Sequence, residues 1–314
     1  MRVISNGLQL EVETLGRQQD PAIVLITGLG NQLIHWPLSF CEQLARAGHY
    51  VVRFDNRDAG KSSAFRGAGG RPNIAAAWIK QHLGIPQRSA YRLDDMAADT
   101  VGLLDALDLQ QVHLVGLSMG GMIAQIVAAR HPQRVSRLSL LMTSSGARGL
   151  PGPRLEILRQ MISRPKRADR DGLIRHSVKT WQMIGSPAYP PSEQRLYAQV
   201  AQSFDRHFYP AGVLRQMHAI MASGSRRTLL QQITAPTLVL HGEADPLVPV
   251  ACGRDLAKTI PNARLVTIPG WAHDLPPPLL PRLAQHLIDH SSAPLTSERP
   301  DSSETNPRGQ QSPC

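Results

Sequence analysis

Cysteine is scarce in this 314-residue chain: Cys41, Cys252 and Cys314 are odd in number and share no metal-ligand or redox spacing. They read as reduced thiols, which argues against a disulfide-stapled scaffold and fits a cytoplasmic enzyme. The opening MRVISNGLQLEVETLG has neither the apolar core nor the small-residue cleavage site of a secretion signal. No run approaches the roughly 20 apolar residues that a spanning helix requires, so no integral membrane segment is expected. Internal repeats are not apparent. Acidic residues are outnumbered, with 24 Asp and Glu against 34 Lys and Arg and a formal net charge of +10. Such an excess attracts polyanions. It is mostly scattered Arg, however, and its densest stretch, Arg148 to Arg175, has no aromatic residue to stack a base. That stretch reads as a solvated helical face, and no nucleic-acid partner is expected. No feature of the sequence sets an oligomeric state.

The hydrophobic share of 42% over this length is enough for a full core, and suits one large α/β domain with an insertion. Asn6-Gly7 sits between Val3–Ser5 and Leu8–Thr14, the pattern of a tight hairpin. Short apolar runs bounded by turn residues then recur at Ala22–Thr27, Tyr50–Phe54, Val112–Gly116, Val135–Met142, Thr237–His241 and Arg264–Ile268. Stretches with helical spacing alternate with them at Pro37–Ala47, Asp94–Leu107, Met119–Arg130, Val250–Thr259 and Leu279–His290. Strand followed by helix, repeated, predicts a mostly parallel sheet with helices on both faces, because parallel neighbours need a crossover.

The alternation breaks between Gly146 and Arg226, where helical character and several prolines replace any strand. The expected organisation is a core of residues 1–146 and 226–290, a helical cap over 147–225, and a disordered tail over 291–314. The glycine-rich stretch Ser62 to Arg88, with an apolar piece at Ala75–Leu83, is a candidate mobile lid.

The strongest local signal is Gly116-Leu-Ser118-Met-Gly120, preceded by a strand and followed by a helix. A nucleophile elbow needs that context, because its Ser sits in a strained turn that only surrounding packing can hold. Ser118 is therefore the candidate nucleophile. A hydroxyl is weakly nucleophilic at neutral pH, so a base must take its proton, usually a His oriented by a carboxylate. His273, just after the last predicted strand, is the best-placed base. The acid is expected at the turn after Thr237–His241, where Asp245 is favoured and Glu243 is the nearby rival. The order Ser118, Asp245, His273 is the nucleophile-acid-base order of this architecture. Two backbone donors should face the oxyanion, Met119 N–H after the nucleophile and Leu29 N–H in Thr27-Gly28-Leu29-Gly30 after an early strand. Leu29, Leu33, Trp36, Met119, Met122, Trp181 and Trp271 flank this region or fall in the insertion, and an apolar pocket drawn from them is expected, although each alone is more often core.

These residues resemble the α/β-hydrolase superfamily from about Gly7 to His290. The likeness is carried by Gly28-Leu29-Gly30, Phe54-Asp-Asn-Arg-Asp-Ala-Gly60-Lys-Ser62, Gly116-Leu-Ser-Met-Gly-Gly121, and Asp245 with His273. Within the superfamily the chain looks most like bacterial carboxylesterases and the aclacinomycin methylesterase group. Many members carry His before the oxyanion-hole glycine, where this chain has Thr27. The resemblance implies the α/β-hydrolase fold, no cofactor or metal, and structural roles for Asp55 and Arg57. Ser118 at the elbow departs from dehalogenases and epoxide hydrolases of the fold, which use Asp. The expected activity is hydrolysis of a small, largely apolar carboxylic ester through an acyl-enzyme. A lactonase or carbon-carbon hydrolase with the same residues, or a non-catalytic ligand-binding protein, remain the alternatives.

Overall fold

The computed structural model describes residues 1–66 and 72–293. Strands β1 (Arg2–Ser5) and β2 (Leu8–Leu15) form the hairpin, with Asn6 at φ 49° and Gly7 at φ 75° supplying the two left-handed positions of its turn. The remaining strands are β3 (Ala22–Ile26), β4 (Tyr50–Phe54), β5 (Val112–Leu117), β6 (Val135–Leu141), β7 (Thr237–Gly242) and β8 (Ala263–Ile268). They join the hairpin in one eight-stranded sheet of order β1-β2-β4-β3-β5-β6-β7-β8. β1 and β2 run antiparallel to their neighbours, and β4 through β8 pair in parallel. Parallel strands are buried on both faces, which is why these segments read as unbroken apolar runs.

The pleat sends alternate side chains to opposite faces. In β3, Val24 and Ile26 enter one core while Ile23 and Leu25 enter the other. Helices α3 (Leu93–Ala106), α4 (Met119–Arg130) and α10 (Val250–Thr259) cover the first face, and α1 (Leu38–Arg46) and α11 (Leu280–Ser292) cover the second.

Between β6 and β7 come α5 (Leu155–Ile162), α6 (Arg170–Ile184), α7 (Glu193–Arg206), α8 (Pro210–Ser223) and the single turn α9 (Arg227–Leu230). Asp169 and Ser192 start α6 and α7 by accepting the N–H groups of Gly172 (2.9 Å) and Arg195 (3.3 Å). The two helices share a small core of Ile174, Val178, Leu196 and Val200 that is separate from the two cores of the sheet.

Two boundaries differ from the sequence expectation. Within Ser62–Arg88, residues 74–83 form a capped helix, α2 (Ile74–Leu83), that packs on α8. Asn73 accepts the Ala76 N–H at 3.0 Å and Gly84 closes the helix at φ 70°; residues 67–71 of that stretch lie outside the described residues. The expected tail begins late, because α11 runs to Ser292 and Ser291 Oγ lies 2.6 Å from His113 Nδ1. Residues 294–314 of the tail lie outside the described residues. No helix among the described residues is long and apolar enough to cross a membrane.

Several histidines are built into this frame as neutral rings. His113 in β5 bonds Ser139 Oγ at 2.8 Å through its other nitrogen and meets His290 edge-on at 5.5 Å. Burial lowers the pKa of His113, His241 and His290, with Arg137 adding repulsion at His113 and His290. Each group therefore binds fewer protons folded than unfolded once pH falls below the ordinary value of 6.5. The stability they contribute is full above that value and is lost as pH drops below it. The urea midpoint should be lower in mildly acidic buffer than in mildly alkaline buffer; a midpoint that does not move would contradict this account.

Candidate active site

β5 passes directly into α4 through Ser118, whose φ of 53° and ψ of −117° lie outside the regions a side-chain-bearing residue normally occupies. Such a conformation costs about 1–3 kcal/mol and persists only where neighbours fix it. Ser118 N–H donates to Leu141 O at 2.9 Å, and Ser118 O accepts Thr143 Oγ1–H at 2.6 Å and Met122 N–H at 3.2 Å. The turn also depends on close backbone approach. A Cβ on Gly120 would fall 2.2 Å from Ile26 O, and one on Gly116 would fall 2.4 Å from Gly120 O. Only glycine fits at either position.

His273 follows β8 and reaches back to the turn. Its Nε2 lies 3.1 Å from Ser118 Oγ and its Nδ1 2.7 Å from Asp245 Oδ2. Asp245 Oδ1 accepts the N–H groups of Leu247 (2.9 Å) and Val248 (2.8 Å), so both oxygens act as acceptors. With Nδ1–H donated to Asp245, Nε2 presents its lone pair to the Ser118 hydroxyl. Asp245 and His273 are both buried while Ser118 is partly open. Glu243 is exposed and accepts from Thr267 Oγ1 at 2.8 Å, away from His273. The structure thus brings together Ser118, His273 and Asp245 and leaves the rival carboxylate outside.

The Leu29 segment lies beside the same turn, since a Cβ on Gly28 would sit 3.3 Å from Ser118 Cβ. Among the described residues nothing accepts the Leu29 N–H. Met119 is the first residue of α4, where a helix leaves its N–H groups without intrahelical acceptors. The α4 N-terminus favours negative charge there. Ser118 and His273 open into a cavity of about 1370 Å³ walled by the β3 and β6 loops, α2 and the helices α5 to α8. Leu29, Met122 and Trp181 line it, but Leu33, Trp36, Met119 and Trp271 do not. Those four are at most 1% exposed, and Trp36, Met119 and Trp271 pack in the cores of the sheet. Among the described residues no cluster of three or more His, Cys, Asp or Glu is placed to hold a metal.

A sequence model described as the alpha/beta hydrolase fold matches residues 21–276, most of the chain. The protein belongs to the α/β-hydrolase fold family. It is similar to a rhodomycin D methylesterase of Streptomyces peucetius, with 28% identity over 93% of this chain and 98% of the relative. Among solved structures it resembles an enol-lactonase from Burkholderia xenovorans (TM-score 0.72, 23% identity, 93% of this chain and 100% of the other). It also resembles a meta-cleavage product hydrolase from Pseudomonas fluorescens (TM-score 0.72, 18% identity, 93% and 97% of the chains). These two show the fold alone.

Thr27, which departs from the His found at this position in many α/β hydrolases, is buried. Its Oγ1 donates to Asn31 O at 3.3 Å and accepts Asn56 Nδ2–H at 3.1 Å, so it ties the Leu29 loop to the segment after β4. Sequence reasoning missed a second support. The α6–α7 connection braces the His273 loop: Ile184 O accepts the His273 N–H at 2.9 Å, and Ser186 Oγ accepts the Ala272 N–H at 2.9 Å. The same hydroxyl donates to Asp274 Oδ1. Burial raises the Asp274 pKa, and the Ser186 hydrogen bond acts in the opposite direction. Ser186 precedes Asp274 by 88 residues and carries no local signal.

Gly120→Ala should reach the upper end of the roughly 1–3 kcal/mol usual for overpacking, because the Ile26 carbonyl is backbone and cannot turn aside. Urea denaturation measures this, and a stability equal to wild type would show that the close approach is not required. Ser186→Ala strands the Ala272 N–H and should cost about 1–3 kcal/mol. Hydrogen exchange should accelerate at Ala272 and His273 in that variant; unchanged protection would remove the brace from this account.

Proposed function

We propose that the protein is a serine hydrolase of carboxylic esters working through an acyl-enzyme. The observation that carries this reading is the hydrogen-bonded chain from Ser118 through His273 to Asp245, beginning at a strained turn that aims the hydroxyl into the cavity. In this reading His273 takes the Ser118 proton as Oγ attacks the ester carbonyl, and Asp245 holds the ring and stabilises the imidazolium. The tetrahedral oxyanion lies between the N–H groups of Leu29 and Met119. His273 then returns the proton to the departing alcohol, and water repeats the sequence on the acyl-enzyme. The reaction draws on no cofactor. Helices α5 to α8, with the separate small core of α6 and α7, serve as the cap that closes the site from above.

The cavity supports a substrate with a larger body than a small ester, since about 1370 Å³ exceeds the roughly 300–1,000 Å³ common for ligand pockets. The similarity to rhodomycin D methylesterase supports a methyl ester on such a body.

Ser118→Ala should lower turnover of p-nitrophenyl acetate by about 10⁴-fold or more, and a fluorophosphonate should label wild type but not the variant. Wild-type turnover by Ser118→Ala would remove Ser118 from the mechanism. A panel of methyl esters of bulky acids, short-chain esters and lactones then separates the ester reading from the lactonase one.

A further inference from the structure

The outward side of α2 is apolar where a surface helix would ordinarily be polar. Ala77 is buried and the helix packs on α8, yet Ile79 is 53% and Leu83 66% exposed. These two stand one helical turn apart on one side. Trp78 and Ile85 extend the patch, at 42% and 46% exposed. Single exposed apolar residues need no explanation, but four within residues 78–85, three of them on α2, do.

Along the sequence, the charge next to α2 has one sign. Residues 61–92 contain Lys61, Arg66, Arg71, Lys80, Arg88 and Arg92 and no Asp or Glu. Lys80 and Arg88 are exposed beside the patch. Arg148 joins them across the helix end, where a Cβ on Gly84 would fall 1.4 Å from its Nη2, and it makes no ion pair among the described residues. The patch also borders the cavity, since Trp78, Gln81, Gly84, Ile85 and Pro86 form part of its wall.

We infer that α2 docks the protein on an anionic lipid surface. Large apolar side chains on a short helix, with Lys80, Arg88 and Arg148 beside them, are what an in-plane interfacial helix needs: the apolar side enters the acyl boundary and the cations meet anionic headgroups. A second copy of this chain is a poorer occupant, because it would set one basic surface of a +10 protein against another. Docking in this orientation sets the α2 wall of the cavity next to the lipid, where lipophilic molecules are concentrated. That they would be hydrolysed at Ser118 rests on the proposed function; the docking does not.

Co-sedimentation tests this with vesicles of phosphatidylcholine alone and of phosphatidylcholine doped with phosphatidylglycerol. Wild type should bind the anionic vesicles about tenfold more than the neutral ones, and high salt should release it. The double variant Ile79→Glu, Leu83→Glu alters neither the cavity wall nor the Ser118 surroundings; it should lose about tenfold of the binding and keep wild-type turnover of p-nitrophenyl acetate. Ser118→Ala should bind vesicles like wild type, so a failed esterase reading and a failed docking reading give different results. Absence of vesicle binding, equal binding to neutral vesicles, or undiminished binding by the double variant would overturn the inference. So would a concentration-dependent dimer that the double variant abolishes, which would assign the patch to a second copy.

Discussion

The contact on which the site depends is the approach of the α4 N-terminus to the end of β3. Gly120 has no space for even a methyl group against Ile26 O, and this closeness leaves the chain one way to turn from β5 into α4. Ser118 takes its strained φ and ψ there, held by Leu141 O and Thr143 Oγ1 from β6 and its following loop. The same approach sets the residues after β3 beside the turn, with Gly28 against Ser118. The proposed nucleophile and one proposed oxyanion donor are thus placed by a single piece of backbone packing. This is a stronger constraint than side-chain contacts would be, because backbone carbonyls cannot rotate away.

The loop after β4 connects this frame to the helices above it. Asp55 accepts from Leu33 N–H (2.7 Å), Lys61 N–H (2.8 Å) and Arg206 Nη1 of α7 (2.7 Å). Arg57 pairs with Asp99 of α3 at 2.5 Å, and Asp58 receives Arg215 of α8 at 2.8 Å and Tyr91 Oη at 2.7 Å. Burial works to raise the Asp58 pKa, but Arg215, Tyr91 and the Phe65 N–H outweigh it and leave it below the ordinary value. Buried pairs of this kind give little net stability over an apolar substitute, yet removing one partner alone costs about 3–5 kcal/mol. Their effect is geometric: they fix α7 and α8 relative to the sheet. Gln216 of α8 completes the link by accepting Gly30 N–H at 2.8 Å and donating to Arg57 O at 2.7 Å. The Phe54–Asp58 motif is therefore structural, as the resemblance implied for Asp55 and Arg57.

The parts legible from sequence are those set by local periodicity. The Asn6-Gly7 hairpin and the six short apolar runs together account for all eight strands, and Met119–Arg130 and Val250–Thr259 are helices with the expected ends. The turn after Thr237–His241 favours Asp245 over Glu243 from position alone, and in the structure Asp245 is hydrogen-bonded to His273 while Glu243 bonds Thr267. Other features were set by contacts distant in the chain. Trp36 and Trp271 are apolar and near the site in sequence, yet they face the core under the sheet; local spacing does not specify which side of a loop is inward. α2 was obscured by its glycine-rich approach, and its stability comes in part from α8, well over a hundred residues later. The Ser186 brace was invisible for the same reason.

That brace means the proposed base belongs to both layers of the molecule. Asp245 and the end of β8 hold His273 from the sheet side, while Ile184 O holds its backbone N–H from the end of α6. Trp181, one turn before Ile184, lines the cavity and stacks on His35 at 5.6 Å. A displacement of α6 large enough to enlarge or narrow the cavity near Trp181 would therefore also pull on the His273 loop. In a packed interior such a displacement is transmitted rather than absorbed. The sheet fixes where the hydroxyl stands, but the helix that shapes the space for substrate also shares in placing the imidazole. The shape of the cavity and the proposed proton transfer are consequently not independent in this architecture.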